Sequence, residues 1–396
     1  MQPTNTPPLA TDPRPLLIVT DAAALARECA ALRRSPRIAL DTEFMRERTY
    51  HAQLCLVQLA DAERIVVVDP IAVLEGKGEL GSLHALLADT AVLKVLHSGR
   101  QDLEIFAQQM GSVPAPLFDT QVAAALLGLG DQIGYANLVQ RLLSVQLEKT
   151  HTRIDWSVRP LPHGAIEYAA DDVRYLLAVH DALRTELGQR ERLEWLDAEF
   201  AQLARLDSYR TDPADAWRKV RGSQRLTEPQ RARLAALAAW RERTALEVDR
   251  PRGWVLKDDM IIDIARRNPV DEAELAQLRD MPPAVVKRRG AEILAALATA
   301  GGAEAPVLEP ARPRLTPEQD GVVDLLAALT RKRAAEHGVA VGNLATRREL
   351  ERLVLGEREL EVLSGWKRET VGNALLAALD GKLALAVRDG KLTELD

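Results

Sequence analysis

The chain has 396 residues, of which 47% are hydrophobic and 28% charged, and a net charge of −6. That length suits two or three domains, and the apolar content supports packed cores and excludes wholesale disorder. No apolar run approaches the roughly 20 residues needed to cross a membrane.

Met1 to Pro15 is polar and Pro-rich, without the apolar core of a targeting peptide. Residues 1–15 therefore read as a flexible extension. The two cysteines, Cys29 and Cys55, lie in apolar surroundings and lack C-x-x-C spacing. That usage suits a reducing cytoplasm and argues against a zinc cluster. From residue 16 the pattern alternates. Leu16–Val19 reads as a strand, and Asp21 as the N-cap of a helix over 22–34. Residues 37–43, 53–59 and 64–68 read as three successive strands, 83–89 as a helix and 93–97 as a strand. Helical patterns follow at 102–110, 119–127, 135–143 and 164–187. This order predicts a mixed α/β sheet.

The second half reads as nearly all helix and contains a weak internal repeat. Arg225-Leu226-Thr227-Glu228-Pro229 recurs 89 residues later as Arg314-Leu315-Thr316-Pro317-Glu318, each copy leading into an apolar helix with a basic end. Gly301 to Pro313 between them has a linker's composition. Charge is uneven. Residues 1–200 carry 19 Lys and Arg against 27 Asp and Glu, 201–300 carry 19 against 15, and 301–396 carry 14 against 16. A basic middle third hints at a polyanion-binding module, against the plain alternative of variation between solvated surfaces.

Acids stand where a folded chain normally avoids them. Asp41 and Glu43, two apart on a strand, share one face, and such a pair repels itself unless a cation intervenes. The apolar lead-in Ile38-Ala39-Leu40 argues against a wet strand edge. Asp102 reads as the N-cap or first-turn residue of its helix. Tyr168 and Asp172 are four apart on a helix and share a face, as do Glu167 and Asp171. The stripe Ile166, Ala169, Ala170, Val173, Leu176 and Leu177 flanks Asp172 more closely than Asp171, which makes Asp172 the inner acid. Read singly, each has a structural explanation: a strand edge, a helix cap, a core-edge tyrosine.

Together, in this order, they resemble the three exonuclease motifs of the DEDD superfamily, tyrosine branch. The flanking Asp41-Thr42-Glu43-Phe44, Gln58-Leu59, Lys94-Val95-Leu96-His97-Ser98, Phe118-Asp119-Thr120, Asp155-Trp156-Ser157-Val158-Arg159-Pro160-Leu161 and Tyr168 to Leu176 are similar to the bacterial ribonuclease D family over residues 16–200. The two helical copies resemble HRDC domains. Two features depart from the pattern: Asp171 is an extra acid, and Leu329 stands in the second copy where Trp240 stands in the first.

The resemblance implies an α/β exonuclease domain with a mixed, RNase H-like sheet over 16–205. Two all-α HRDC domains would follow at 210–298 and 312–396, joined by a linker at 299–311. It further implies two divalent metal ions, Mg²⁺ or Mn²⁺, about 4 Å apart and held by Asp41, Glu43, Asp102 and Asp172. Tyr168 would handle the attacking water. Thr42, Phe44, Gln58, His97 and Arg159 would contact the RNA end, and Arg218, Lys219, Arg221 and Arg225 the RNA body. The implied protein is a cytoplasmic, monomeric 3′→5′ exoribonuclease without organic cofactor, trimming tRNA precursors and other small structured RNAs to nucleoside 5′-monophosphates. A DNA exonuclease of the same superfamily and a non-catalytic RNA-binding adaptor are the alternatives.

Overall fold

The structure, a computed structural model, describes residues 12–147, 154–301, 305–306 and 315–395. Most of the expected extension at 1–15 and of the expected linker at 299–311 lies outside the described residues. The chain divides into two compact units: Met1–Glu43 with Leu54–Ser208 and Pro313–Asp396, and Phe44–Gln53 with Tyr209–Arg312.

In the first unit six strands form a mixed sheet: β1 (Leu16–Val19), β2 (Arg37–Met45), β3 (Gln53–Ala60), β4 (Ile65–Val68), β5 (Leu93–Leu96) and β6 (Leu117–Asp119), in the order β1-β4-β3-β2-β5-β6. β1 runs parallel to β4, β4 antiparallel to β3, and β5 parallel to both β2 and β6. Consecutive residues of β3 and β4 are buried; since neighbours on a strand face opposite ways, both faces of the sheet are covered.

The helices are α1 (Ala22–Leu32), α2 (Pro70–Glu75), α3 (Gly81–Leu87), α4 (Arg100–Met110), α5 (Thr120–Leu126), α6 (Tyr135–Leu143), α7 (His163–Arg174), α8 (Leu176–Gln189) and α9 (Trp195–Leu203). Asp21 caps α1, Asp69 caps α2 and Asp119 caps α5, each accepting from amides of the first turn. The helix read at 164–187 is two helices. They break at Tyr175, whose amide donates to the Tyr135 hydroxyl (3.2 Å). β6 and α2 escape a sequence reading because three and six residues show too little periodicity.

The second unit is built from α10 (Glu228–Glu247), α11 (Arg252–Val255), α12 (Asp258–Arg267), α13 (Glu272–Ala276) and α14 (Pro283–Thr299), packed around Trp217, Leu234, Leu237, Trp240, Ile261 and Ile293. Residues 44–53 belong to it. The Tyr50 hydroxyl donates to the buried Glu242, and Asp249 accepts from the amides of Tyr50 (3.0 Å) and His51 (3.1 Å).

The second helical copy comprises α15 (Pro317–His337), α16 (Val341–Leu344), α17 (Arg347–Val354), α18 (Gly365–Lys367) and α19 (Asn373–Leu379), and it falls in the first unit. The 89-residue offset holds helix by helix: α10, α11 and α12 start at 228, 252 and 258, and α15, α16 and α17 at 317, 341 and 347. Both long helices open with a Thr–Gln capping box, Thr227 with Gln230 and Thr316 with Gln319. The region is mostly helical, closing in a hairpin of β7 (Ala384–Arg388) and β8 (Lys391–Leu395) that the helical reading lacked. Asp389 and Gly390 both take positive φ at its tip, as a tight two-residue turn needs.

The second copy is fastened to the nuclease part of its unit. Trp195 and Trp366 stack with centroids 4.3 Å apart and planes 6° off parallel. Arg192 donates to the carbonyls of Leu126 and His337, and Lys367 pairs with Glu199. Ala340 donates its amide to Ala125 (3.1 Å), and a Cβ on Gly128 (φ +70°) would lie 2.7 Å from the Gly338 carbonyl oxygen, so glycine alone permits this approach.

Candidate active site

Strand β2 delivers Asp41 and Glu43 near its C-terminal end, half-buried, with the fully buried Ile38, Ala39 and Leu40 before them. Strand β5 ends at Leu96, and the chain turns through Ser98, at φ +57°, and Gly99 into α4. A Cβ on Gly99 would meet Leu96 Cδ2 at 2.7 Å and Leu96 Cβ at 2.8 Å. The turn is pinned by Asp119 at the end of β6, whose carboxylate accepts from Ser98 N (3.0 Å) and Gly99 N (2.9 Å) while capping α5. Asp102 therefore sits in the first turn of α4, with Gly99 as the cap, and accepts the Thr42 hydroxyl. Helix α7 carries Tyr168 and Asp172, and the Tyr168 ring lies 6.3 Å from that of Trp156, nearly parallel.

The four acids interact. Burial is the largest influence on each. It raises Asp41 well above the usual carboxylate range, and the charges of Asp102, Asp172 and Glu43 add to this. Burial and the charges of Asp172 and Asp102 push Glu43 up to about 8. Asp172 rises to about 7 through burial, Asp171 and Asp102. Asp102 rises only to about 6, because the Thr42 hydroxyl supports its charged form. Burial, with the charges of Asp172, Glu43 and Asp41, pushes the Tyr168 phenol up to about 12. Asp171 points elsewhere: its carboxylate is paired with Arg174 (2.6 Å), which also reaches Glu167 (3.0 Å).

All four acids offer hard oxygen donors, the kind that suits Mg²⁺ or Mn²⁺, and their mutual repulsion is what a cation would relieve. Among the described residues no group of three or more His, Cys, Asp and Glu side chains is arranged to hold an ion as it stands. One oxygen of Asp102 accepts the Thr42 hydroxyl, which leaves the other for an ion.

The five residues read as substrate contacts are placed differently. The Thr42 hydroxyl is committed to Asp102. Gln58 is fully buried in β3, and neither atom of its amide has a hydrogen-bond partner. Both ring nitrogens of His97 are engaged, with Thr120 Oγ1 (2.9 Å) and the Ile133 carbonyl (3.0 Å). Arg159 is a structural pin: its guanidinium donates to Asp69 (2.5 and 2.8 Å) and to the carbonyls of Cys55, Trp156 and Val158. Phe44 follows Glu43 directly in the chain, half-buried, with the Arg46 guanidinium 6.0 Å from its ring centroid.

Sequence reasoning missed three contributors. Asp119 sets the turn before Asp102. Trp156 lies beside Tyr168. The half-buried Tyr135 is close enough to the acids that the charges of Asp172 and Asp41 add to desolvation in raising its phenol. Asp119 and Trp156 stand inside segments whose likeness was recognised; for Tyr135 no local pattern gave a signal.

Residues 16–188 match the 3′-5′ exonuclease family and residues 230–297 the HRDC domain family. The chain is 41% identical to the ribonuclease D of Granulibacter bethesdensis over 390 residues, covering 97% of each. It is 41% identical to that of Acidiphilium cryptum over 396 residues, covering 98% of this chain and 99% of that one. It is also similar to the crystal structure of Escherichia coli RNase D, described as an exoribonuclease involved in structured RNA processing. The TM-score is 0.77 at 33% identity, covering 93% of this chain and 99% of that chain.

Proposed function

Because this chain belongs to the ribonuclease D family and is a 3′→5′ exoribonuclease, we propose that it trims the 3′ ends of tRNA precursors and other small structured RNAs, releasing nucleoside 5′-monophosphates. The observation that carries this reading is the cluster of Asp41, Glu43, Asp102 and Asp172 beside Tyr168. Asp102 raises the proton affinity of each of the other three, in a chain that matches its relatives over 97% of its length.

Asp41, Glu43, Asp102 and Asp172 would hold two divalent cations, Mg²⁺ or Mn²⁺. Bound there, the ions supply an activated water and charge stabilisation for the leaving 3′-oxygen. The chain's own residues set the rest. Thr42 holds the Asp102 carboxylate by its hydroxyl, and Asp119 holds the turn before it. Tyr168, its phenol pushed up to about 12, orients the attacking water by accepting a hydrogen bond from it through the phenol oxygen and, with the ions bound, takes up its proton. Phe44 stacks on the terminal base, a sequence-tolerant contact. The exposed Arg218, Lys219, Arg221 and Arg225 hold phosphates of the RNA body in a salt-sensitive manner. Nuclease and helical repeats act as a monomer in the cytoplasm, a placement supported by two buried, free cysteines. Among the described residues no helix is long and apolar enough to cross a membrane.

The test compares a tRNA transcript with a 3′ extension, plain single-stranded RNA and DNA, each with Mg²⁺ or Mn²⁺. Mononucleotide release from the extended transcript, stopping near its folded part, is expected. Preferential release from DNA, or no release from any of the three, would overturn the reading.

A further inference from the structure

The first helical repeat exposes an aromatic side chain that its own fold does not use. Trp254, in the short helix α11, is 62% exposed, although an indole is among the side chains with most to gain from burial. The Arg250 guanidinium lies 6.0 Å from its ring centroid. Arg250 also donates to the Arg48 carbonyl (3.1 Å), bringing a second exposed arginine to the same surface. Arg252 and the exposed Lys257 flank the indole along the chain. The acids nearest them are mostly committed. Glu242 is buried against Tyr50 and stands 3.7 Å from Arg252, Asp249 holds the Tyr50 and His51 amides, and Asp258 pairs with the buried Arg241 (2.8 Å). Glu47 and Asp259 remain exposed.

The second repeat serves as an internal control. At the same offset, Arg250, Pro251, Arg252, Trp254 and Lys257 correspond to Val339, Ala340, Val341, Asn343 and Thr346. There the start of the face is packed on protein, while Val341 and Thr346 stay exposed and Asn343, in the place of Trp254, is half-buried. Val339 is buried, Ala340 donates to Ala125, and a Cβ on Gly342 would lie 3.1 Å from Asp131 Oδ2. So one repeat rests the first part of this face against the nuclease with small and apolar residues and carries neither an indole nor a cation on the rest. The other leaves it open and furnishes it with an indole and cations.

We propose that Trp254, with Arg250, Arg252 and Arg48, forms a stacking subsite for single-stranded RNA on the first repeat, a proposal that rests on reading the substrate as RNA. An exposed indole offers its ring face to any unpaired base, and guanidinium groups bind phosphate and stack on bases in turn. A duplex keeps its bases stacked inside and would offer this site only phosphates.

The test uses the full chain in EDTA, which separates binding from cleavage, and reads the anisotropy of a labelled oligoadenylate. Trp254→Ala should weaken binding about five-fold or more, the fold-change expected for losing one stacked base. Trp254→Phe should retain most of the affinity, while Val270→Ala, at a position 74% exposed elsewhere on the unit, should leave it unchanged. Oligoadenylate should quench the indole emission of the parent chain, and Trp254→Phe should lose that quench; this second readout decides the matter if Trp254→Ala does not fold. Parent-like binding by Trp254→Ala, an unchanged quench in Trp254→Phe, or an equal loss of affinity for a blunt duplex would each overturn the proposal. A failure to release mononucleotides would strike the enzymatic reading alone, because this assay contains no metal.

Discussion

Asp172 and Asp171 are neighbours in the chain, yet one faces the acid cluster and the other is held by Arg174. Asp172→Asn should abolish mononucleotide release with RNA binding largely kept, while Asp171→Asn should cost far less. Equal losses, measured side by side on one RNA, would mean that the register is wrong. The raised acids also predict a stability slope. Without cations, folded Asp102, Asp172 and Glu43 hold protons up to about 6, 7 and 8, whereas unfolded carboxyls release theirs near ~4. The folded state is then the more protonated across that window, so stability falls as pH rises through it. Melting temperatures in EDTA should drop from about pH 5 to pH 8, and Mn²⁺ should flatten the slope, because cations favour the deprotonated ligands. An identical slope for the parent chain and Asp172→Asn would refute the assignment.

At the scale of elements, the site depends on how strands hand their ends to helices. Asp119 touches no reacting group; it ties the Ser98-Gly99 turn to the end of β6. Asp119→Ala frees two amides and a helix cap, a loss of about 1–3 kcal/mol. It should lower kcat more than it raises KM, since Asp102 is set by that turn. A variant with reduced melting temperature but parental kcat would show that the turn is only structural. The same contrast explains what was legible in the sequence. Asp41 with Glu43, and Tyr168 with Asp172, declare themselves because strand and helix periods put each pair on one face. The α7–α8 break was hidden because the hydroxyl that takes up the Tyr175 amide at the break belongs to Tyr135, 40 residues away. Arg159 looked like a phosphate ligand for a similar reason. Its partner Asp69 is 90 residues distant, and nothing local to an arginine says whether its charge is already matched.

At the scale of the whole molecule, the two helical repeats share a register but not a setting. The Trp195–Trp366 stack fastens the second to the nuclease. A double-mutant cycle with Trp195→Ala and Trp366→Ala should show a coupling of about 0.5–1.5 kcal/mol in denaturant unfolding; additive losses would mean that the rings merely coexist. Removal of residues 210–396 should therefore destabilise the nuclease as well as weaken its hold on RNA. Loss of RNA affinity with an unchanged melting temperature would contradict the fastening role. The duplicated halves have ceased to be spare parts. A chimera carrying the first repeat in the second position would press Arg250 against the backbone at 125–128, stranding a charge where Val339 now sits. One copy serves as framework and the other presents a free face, so neither repeat can stand in for the other.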